Sequence, residues 1–333
     1  MGTLLDKPVT EKNTELGESN GLKYGASSMQ GWRVEMEDEH ILATNLPKLD
    51  GTSFFAVFDG HGGSFTSYYA KGNLVRLLSE TESYTKYVEL SQEKRDEMDG
   101  LKLFKSALEQ AFLNVDVELR ETPEHLKGDR SGCTSIAVAV TPKHIICANA
   151  GDSRACYCKG GAAVPLSYDH KPTNSEEHNR IDRAGGYVSM RRVDGDLAVS
   201  RALGDLQYKT RNDLPAEQQK VTALPDFIVH ERDNRLDEYI IIACDGIWDV
   251  VSNDESVEIV SQIFMEGEKN IGFVCEEMLD LCLAKNSRDN MTACVVAFPG
   301  VHIGEGGGVA ARWQARNPKS QDGTENDDPS PYT

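Results

Sequence analysis

The sequence predicts an α+β fold in which a β-sandwich of antiparallel strands is flanked by helices. Residues 134–166 contain short apolar runs separated by the turn sequences TPK, GDS and KGG, a pattern typical of antiparallel strands. Two further apolar runs, EYIIIACDG at 238–246 and MTACVVAF at 291–298, predict additional strands. Because helical segments lie before and after the strand cluster, the chain does not match an alternating α/β pattern.

Apolar residues that recur every three to four positions predict three helices, over 64–80, 101–120 and 271–285. Two capping-box patterns, TNSE at 173–176 and SNDE at 252–255, predict the starts of two more helices. The helix that begins at TNSE is expected to end at Gly185, which a second glycine follows.

The composition is that of a soluble globular protein with an acidic surface. Of 333 residues, 39% are hydrophobic and 27% are charged, and the net charge is −19. We expect one domain over 23–299, a polar N-terminal arm over 1–22, and a low-complexity, disordered tail over 300–333. The negative charge disfavours nucleic acid as a partner, since no run of basic residues offsets it.

Sequence signals predict a cytoplasmic or nuclear location. No apolar stretch approaches the length of a membrane span, and the polar N-terminus is unlike a signal peptide. Gly2 follows the initial methionine, but Asp6 stands where an N-myristoylation motif takes Ser or Thr, so lipidation is not favoured. The eight cysteines form no C-x-x-C pair, which predicts reduced thiols and gives little support to zinc or redox chemistry.

Three acidic residues at the edges of apolar runs are the first candidates for a functional site. Asp59 follows FFAVF, Asp245 follows IIIAC, and Asp289 lies just before MTACVV. Taken alone, Asp59 fits a tight turn equally well, but three charged groups at the ends of buried strands are costly unless they are paired or coordinated. Carboxylates without a Cys or His cluster favour Mg²⁺ or Mn²⁺ over Zn²⁺. An EF-hand is not supported, because DGDLAVSRALGD lacks its ligand spacing.

Eight blocks of sequence, taken together, point to a protein family. In chain order they are MQGWRVEMEDEH, FFAVFDGHGG, SGCTSIAVAV, ANAGDSRACY, DHKPTNSEEHNRIDRAGGYV, LAVSRALGD, IIIACDGIWDVVS and SRDNMTACVV. They resemble the motifs of the metal-dependent Ser/Thr protein phosphatases of type 2C, the PPM family, over residues 22–299. The resemblance implies a central sandwich of two antiparallel sheets with helices on both outer faces, a four-layer α/β/β/α fold.

The resemblance implies a centre of two Mg²⁺ or Mn²⁺ ions and a further, weaker ion. Asp59 resembles the carboxylate that bridges the two ions, and Gly60 resembles the residue whose carbonyl binds one of them. Asp245 and Asp289 resemble the remaining direct ligands, and Glu37 and Asp38 resemble acids that bind or orient metal-bound waters. Asp152 and Asp249 resemble the acids that hold the weaker ion together with Asp245, although GDS around Asp152 also fits a plain hairpin turn.

The same resemblance assigns two catalytic residues that face the substrate. Arg33 resembles the residue that grips the phosphate, because a guanidinium fork fits two phosphoryl oxygens. Outside the family context, a surface salt bridge would explain Arg33 as well. His61 resembles the general acid that protonates the leaving alkoxide, whereas a lone loop histidine is otherwise solvent-exposed surface. Thr134 and Asp205 lie in family motifs but receive no firm role.

These features predict a monomeric phosphatase that acts on phosphoserine and phosphothreonine in proteins by direct attack of a water bridging two metal ions, without a phosphoenzyme. One alternative is a binding protein that uses the same fold without catalysis, which the intact set of acids disfavours. Another is a metal-dependent hydrolase of nucleic acid or small phosphoesters, and the negative charge disfavours nucleic acid. The stretch 171–192 resembles the family's flap, and its segment MRR at 190–192 fits either selection of protein substrates or a solvated loop.

Overall fold

The computed structural model describes residues 4–317. The strands in this part of the chain are β1 (Leu4–Ser19), β2 (Leu22–Arg33), β3 (Glu39–Ala43), β4 (Ser53–Phe58), β5 (Gly60–His61), β6 (Gly132–Cys133), β7 (Ser135–Val140), β8 (His144–Ala150), β9 (Arg154–Lys159), β10 (Ala162–Pro165), β11 (Val188–Ser189), β12 (Arg192–Val193), β13 (Leu203–Gly204), β14 (Asp226–Glu231), β15 (Asp237–Ala243) and β16 (Met291–Ala297). The helices are α1 (Phe65–Glu80), α2 (Glu82–Glu89), α3 (Gln92–Arg95), α4 (Met98–Leu119), α5 (Pro123–Leu126), α6 (Ser175–Arg183), α7 (Asp245–Trp248), α8 (Asn253–Met265), α9 (Ile271–Ala284) and α10 (Gly308–Arg316).

Most of these strands belong to two antiparallel sheets that share a core. One sheet has six strands in the order β1-β2-β16-β15-β9-β10, and the other has five in the order β14-β8-β7-β4-β3. A short sheet, β13-β6-β5, and the hairpin β11-β12 lie outside them. The arrangement confirms the predicted sandwich of two antiparallel sheets.

Strand β4 shows why the apolar runs are continuous and do not alternate with polar residues. Phe54, Ala56 and Phe58 belong to a core shared with α1, α2 and α4, whereas Phe55 and Val57 belong to the core between the sheets. Strand β15 is buried on both faces in the same way, and its outer face packs against α8 and α9. A strand covered on both faces is apolar at successive positions. The two sheets are therefore the inner layers of an α/β/β/α sandwich.

The predicted helices are present, although one predicted cap is wrong. The capping box at Ser252 is confirmed: its Oγ accepts from the Glu255 N–H over 3.2 Å, and Glu255 Oε2 accepts from the Ser252 N–H over 2.8 Å. Helix α6 instead starts after Asn174, one residue beyond Thr173, and makes no side-chain cap bond. The Asn174 side chain instead donates its Nδ2 to the Asp169 carbonyl over 2.8 Å.

The N-terminal segment is part of the sandwich over residues 4–19 and is not a separate arm. It forms β1, which pairs antiparallel with β2 at the edge of the six-stranded sheet. Thr14 Oγ1 donates to Glu276 Oε1 over 2.8 Å, and Lys12 pairs with Asp280 on α9 over 2.8 Å. An edge strand held by such polar contacts lacks an apolar pattern, which explains why the sequence predicted an arm.

The predicted disordered tail is wrong for its first part, because residues 308–316 form a helix. Within it, α10 packs through the buried Val309 against the core under α8 and α9. Arg312 pairs with Glu266, and Arg316 pairs with Glu277 over 2.6 Å. Residues 318–333 of the predicted tail lie outside the described residues. Within residues 4–317, no helix is long and apolar enough to cross a bilayer.

Candidate active site

The predicted acids converge at one end of the sandwich, where strands of both sheets terminate. Asp59 follows β4 of the five-stranded sheet, whereas Asp245 follows β15 and Asp289 precedes β16 of the six-stranded sheet. The Asp245 N–H donates to Asp59 Oδ2 over 3.3 Å and links the two sheets. Thr134, which the sequence left without a firm role, donates its N–H to the Asp59 carbonyl over 2.9 Å and holds the turn in place.

Asp38 joins this cluster from the loop before β3. Its Oδ2 accepts a hydrogen bond from Thr292 Oγ1 over 2.7 Å, and its Oδ1 is buried and has no hydrogen-bond partner among residues 4–317. Ligand atoms of Asp38, Asp59 and Cys244 lie within 4.8 Å of one another. A buried carboxylate oxygen without a partner can bind a cation directly or accept a hydrogen bond from a metal-bound water. The sequence indicates Cys244 only as a buried hydrophobe, because its preceding neighbours are apolar.

The electrostatics of the cluster favour a bound cation. Burial raises the pKa of Asp59 well above its usual range, and the charges of Asp245 and Asp38 raise it further. Burial, followed by the charges of Asp152 and Asp289, likewise raises the pKa of Asp245. Carboxylates held this close and out of water are stabilised as anions by nearby positive charge. The carboxylate oxygens present therefore fit hard divalent cations such as Mg²⁺ or Mn²⁺.

We expect the metal-free protein to lose stability relative to its Asp38→Asn variant as the pH rises. Burial raises the pKa of Asp38 to about 7, whereas an unfolded aspartate titrates at about 4. Between these values the unfolded chain has released a proton that the folded chain keeps, so rising pH destabilises the wild type. Thermal unfolding midpoints of both proteins in chelator, at about pH 5 and about pH 8, measure the effect. A midpoint difference that is independent of pH would contradict it.

The loop that carries Glu37 packs directly on the turn after β4. The Glu37 carboxylate accepts a hydrogen bond from the Gly63 N–H over 2.7 Å, and the backbone carbonyl of Glu37 accepts one from Ser67 Oγ over 2.5 Å. A Cβ at Gly60 would lie 2.2 Å from the Glu37 carbonyl oxygen, so this approach requires glycine. Two predicted site residues, Glu37 and Gly60, are thus held against each other.

Asn290 is a position that sequence reasoning missed. It is buried beside Asp289, and its Oδ1 accepts from the Glu37 N–H over 2.9 Å. Its Nδ2 donates to the carbonyls of Gln30 and Glu35, each over 2.9 Å. Asn290 therefore fixes the loop that delivers Glu37 and Asp38 to the cluster. The sequence feature that could have identified Asn290 is its position as a polar residue between Asp289, a predicted ligand, and the apolar run of β16.

Arg33 lies at the end of β2, beside the acids. Its Nη2 donates to Asp289 Oδ2, and 34% of its side chain is exposed. Arg33 therefore does form an ion pair, but with a predicted metal ligand and not with an acid of its own segment. Because a guanidinium carries five N–H donors, this contact leaves other donors available to a phosphoryl group.

His61 pairs with Asp205, which lies 144 residues further along the chain. Its Nε2 and Asp205 Oδ2 are 2.6 Å apart; the His61 side chain is 30% exposed and that of Asp205 is 2% exposed. Burial lowers the pKa of His61, but the charge of Asp205 and its hydrogen bond outweigh this effect, and the net pKa is raised. Asp205, to which the sequence gave no firm role, thus orients His61 and favours its protonated form.

The backbone of Gly132 lies directly against the side chains of His61 and Asp205, and Gly132→Ala is expected to lower turnover. A Cβ there would lie 2.2 Å from Asp205 Oδ2 and 2.6 Å from His61 Nε2, so it would displace the pair. The matched control is Gly72→Ala on α1, where a Cβ meets no atom within 4 Å. Turnover on a phosphopeptide should fall for Gly132→Ala and stay normal for Gly72→Ala. Equal activity of the two variants would show that the pair tolerates displacement.

The acids predicted for a weaker ion lie next to the cluster. The Asp249 N–H donates to the Asp245 carbonyl over 2.8 Å, so one helical turn joins the two acids. Asp249 is exposed, whereas Asp152 is buried and accepts a hydrogen bond from Lys171 Nζ. Partial loss of contact with water raises the pKa of Asp249; the charge of Lys171 opposes this increase, and the charges of Asp152 and Asp289 add to it. These groups therefore act on one another electrostatically.

The segment predicted to be a flap belongs to a unit with a small core of its own, made of Ile181, Val193, Val199, Ala202, Tyr208 and Val221. Arg201 pairs with Glu177 on α6 of this unit and with Asp226 on β14 of the sandwich, each over 2.8 Å, and so links the two. The hairpin β11-β12 turns at Met190 and Arg191, which have left-handed φ angles of 50° and 63°. Met190 is exposed at this tip. Substrate selection by the tip stays a prediction.

Comparison with known proteins identifies the family. A model of the family "Protein phosphatase 2C" matches residues 22–291. The chain is 42% identical over 305 residues to Protein phosphatase ppm-1.A of Caenorhabditis elegans. The aligned region covers 90% of this chain and 64% of that protein. It is 42% identical over 300 residues to Protein phosphatase 1B of Mus musculus, covering 90% of this chain and 76% of that protein.

The fold agrees with that of a phosphatase whose structure has been solved. The crystal structure of serine-threonine phosphatase 2C from Toxoplasma gondii matches with a TM-score of 0.73 and 26% identity, over 89% of this chain and 98% of that one. The sequence motifs, the α/β/β/α sandwich and the acids at its end lead to one conclusion. The chain belongs to the protein phosphatase 2C family of protein serine/threonine phosphatases.

Proposed function

We propose that this protein hydrolyses phosphoserine and phosphothreonine in proteins by direct attack of water, with Mg²⁺ or Mn²⁺ and without a phosphoenzyme. The observation that carries the proposal is the convergence, at one end of the sandwich, of a carboxylate cluster and the His61–Asp205 pair. Membership of the phosphatase family supports the substrate class. The protein's action as a monomer, in the cytoplasm or nucleus, stays a prediction from its sequence.

The chain offers oxygen ligands for two cations and a weaker third. The groups that would hold the two are Asp59, Asp245, Asp289 and the Gly60 carbonyl. Glu37 and Asp38 would orient the waters, and Asp152 and Asp249 would hold the third ion with Asp245. When bound, a pair of such cations supplies a water acidified enough to attack near neutral pH and offsets charge on the phosphoryl oxygens.

Two side chains act on the substrate itself. Arg33 would bind phosphoryl oxygens through guanidinium donors that its ion pair with Asp289 leaves open. His61, kept protonated by Asp205, would give its proton to the serine or threonine oxygen as the P–O bond breaks. The alkoxide would otherwise be a poor leaving group, so this proton is most useful for aliphatic phosphoesters.

Phosphate release from a phosphoserine peptide, with and without added Mn²⁺ and Mg²⁺, tests the proposal. We expect metal-dependent release from the peptide and little from a nucleotide under the same conditions. No release at any metal concentration would favour a binding protein on the same fold. Faster hydrolysis of the nucleotide would favour a hydrolase of small phosphoesters.

A further inference from the structure

Lys171 lies against an acid assigned to the weaker cation site, where the sequence did not predict a basic residue. Its Nζ donates to Asp152 Oδ2, and 38% of its side chain is exposed while 4% of the Asp152 side chain is exposed. A carboxylate this buried needs a positive partner. Lys171 supplies that partner.

The backbone next to Lys171 is fixed, so its side chain is the part that can move. The preceding residue, His170, donates its N–H to the Gly151 carbonyl over 2.9 Å and accepts from the Gly151 N–H at Nδ1 over 3.2 Å. The following turn is closed by the Asn174 N–H, which donates to the Lys171 carbonyl over 2.9 Å. Lysine has a flexible four-carbon stem, so its ammonium group can leave Asp152 without displacing this backbone.

We propose that Lys171 is a tethered counter-ion of the weaker site: its ammonium group occupies Asp152 when no divalent cation is bound there, and a cation must displace it to bind. This inference rests on the proposed function, which assigns Asp152 to that site. It gives a physical reason for the weak binding, because the entering ion must break a charged hydrogen bond before it gains its own contact with Asp152. Among residues 4–317, Asp152 is the acid of the cluster that forms an ion pair with Lys171, whereas Asp245 acts on it only through its charge, so the two tight ions should be affected less than the weak one.

Titration of the full-length, metal-free protein with Mn²⁺, followed by calorimetry, tests the inference. Lys171→Met should tighten the binding event that Asp152→Asn removes, by on the order of 10- to 100-fold, the effect of one charged hydrogen bond. Lys171→Arg, which keeps the charge, should retain weak binding. The metal-free Lys171→Met protein should also have a lower unfolding midpoint, because Asp152 has lost its partner, and Mn²⁺ should raise that midpoint more than in the wild type.

Lys71→Met is the matched control for the loss of one positive charge. Lys71 is 39% exposed, close to the 38% of Lys171, and pairs with Glu39 over 2.7 Å, an acid outside the predicted site. This variant should leave every Mn²⁺ binding event unchanged. If it tightened the weak event as much as Lys171→Met does, general charge and not the Asp152 contact would be responsible, and the inference would be overturned.

The remaining outcomes are also decisive. Unchanged affinity in Lys171→Met would overturn the inference, and weaker binding would overturn it as well, because Lys171 would then position Asp152 for the ion instead of competing with it. A weak event that appears only in Lys171→Met would support it in a stronger form, since Lys171 would then block the site fully. If no protein showed a third event, both the weaker ion and the counter-ion would be rejected, while the two tight events and phosphopeptide turnover would still report separately on the proposed function.

Discussion

Asp59→Ala is expected to lower metal-dependent phosphatase turnover by more than about 100-fold, the upper range seen when a residue that merely supports a metal ligand is lost. Asp59 lies between the two sheets, accepts the Asp245 N–H and is surrounded by other acids. Its loss would remove a ligand shared by both predicted ions. The measurement is phosphopeptide turnover as a function of Mn²⁺ concentration.

A second readout separates loss of a ligand from loss of the fold. Burial and neighbouring acids raise the pKa of Asp59, so its charged form opposes folding when no metal is bound. The metal-free Asp59→Ala protein should therefore unfold at the same or a higher temperature than the wild type, and added Mn²⁺ should stabilise it less. Asp50→Ala, in the exposed turn before β4, is the control and should behave as wild type. Near-normal turnover of Asp59→Ala at moderate Mn²⁺ would remove Asp59 from the ligand set.

His61→Ala is expected to reduce turnover on a phosphoserine peptide by about 10²- to 10⁴-fold, the usual contribution of a general acid. The departing serine oxygen is strongly basic and needs the proton that His61 holds with the help of Asp205. With p-nitrophenyl phosphate the leaving group is a stabilised phenolate, so the loss should be clearly smaller. The comparison of kcat on the two substrates measures the effect.

A substitution of Asp205, the partner of His61, tests the same role by a milder change. Asp205→Asn keeps a side chain of the same shape but removes the charge that raises the pKa of His61, so its loss should be smaller than that of His61→Ala and show the same dependence on the leaving group. His302→Ala, exposed after β16, is the control. Equal losses on both substrates for His61→Ala would show that this residue positions phosphate or metal instead of donating a proton. Affinity for Mn²⁺ should be little changed in every case.

Most of the architecture could be predicted from local sequence patterns. The runs FFAVF and YIIIA are apolar at successive positions because β4 and β15 are covered on both faces, and this pattern is visible without coordinates. Acids that interrupt such runs were identified for the same reason, since a carboxylate at the end of a buried strand is costly alone. Edge strand β1 escaped prediction because its contacts are polar and its pairing partner is supplied by the rest of the sheet.

The sequence by itself thus predicted the sandwich and the positions of Asp59, Asp245 and Asp289 at the ends of its strands, because burial on both faces leaves a continuous apolar run along such a strand. Only the tertiary structure decided that His61 faces Asp205 across 144 residues of chain, and that Lys171 pairs with Asp152. Such contacts depend on where separate turns end after the two sheets have packed, and no local pattern encodes which distant polar side chain lies opposite another. The packing of the two sheets sets the distance between an acid and the side chain opposite it. That distance decides whether the acid pairs with a proton donor, binds a cation or contacts water.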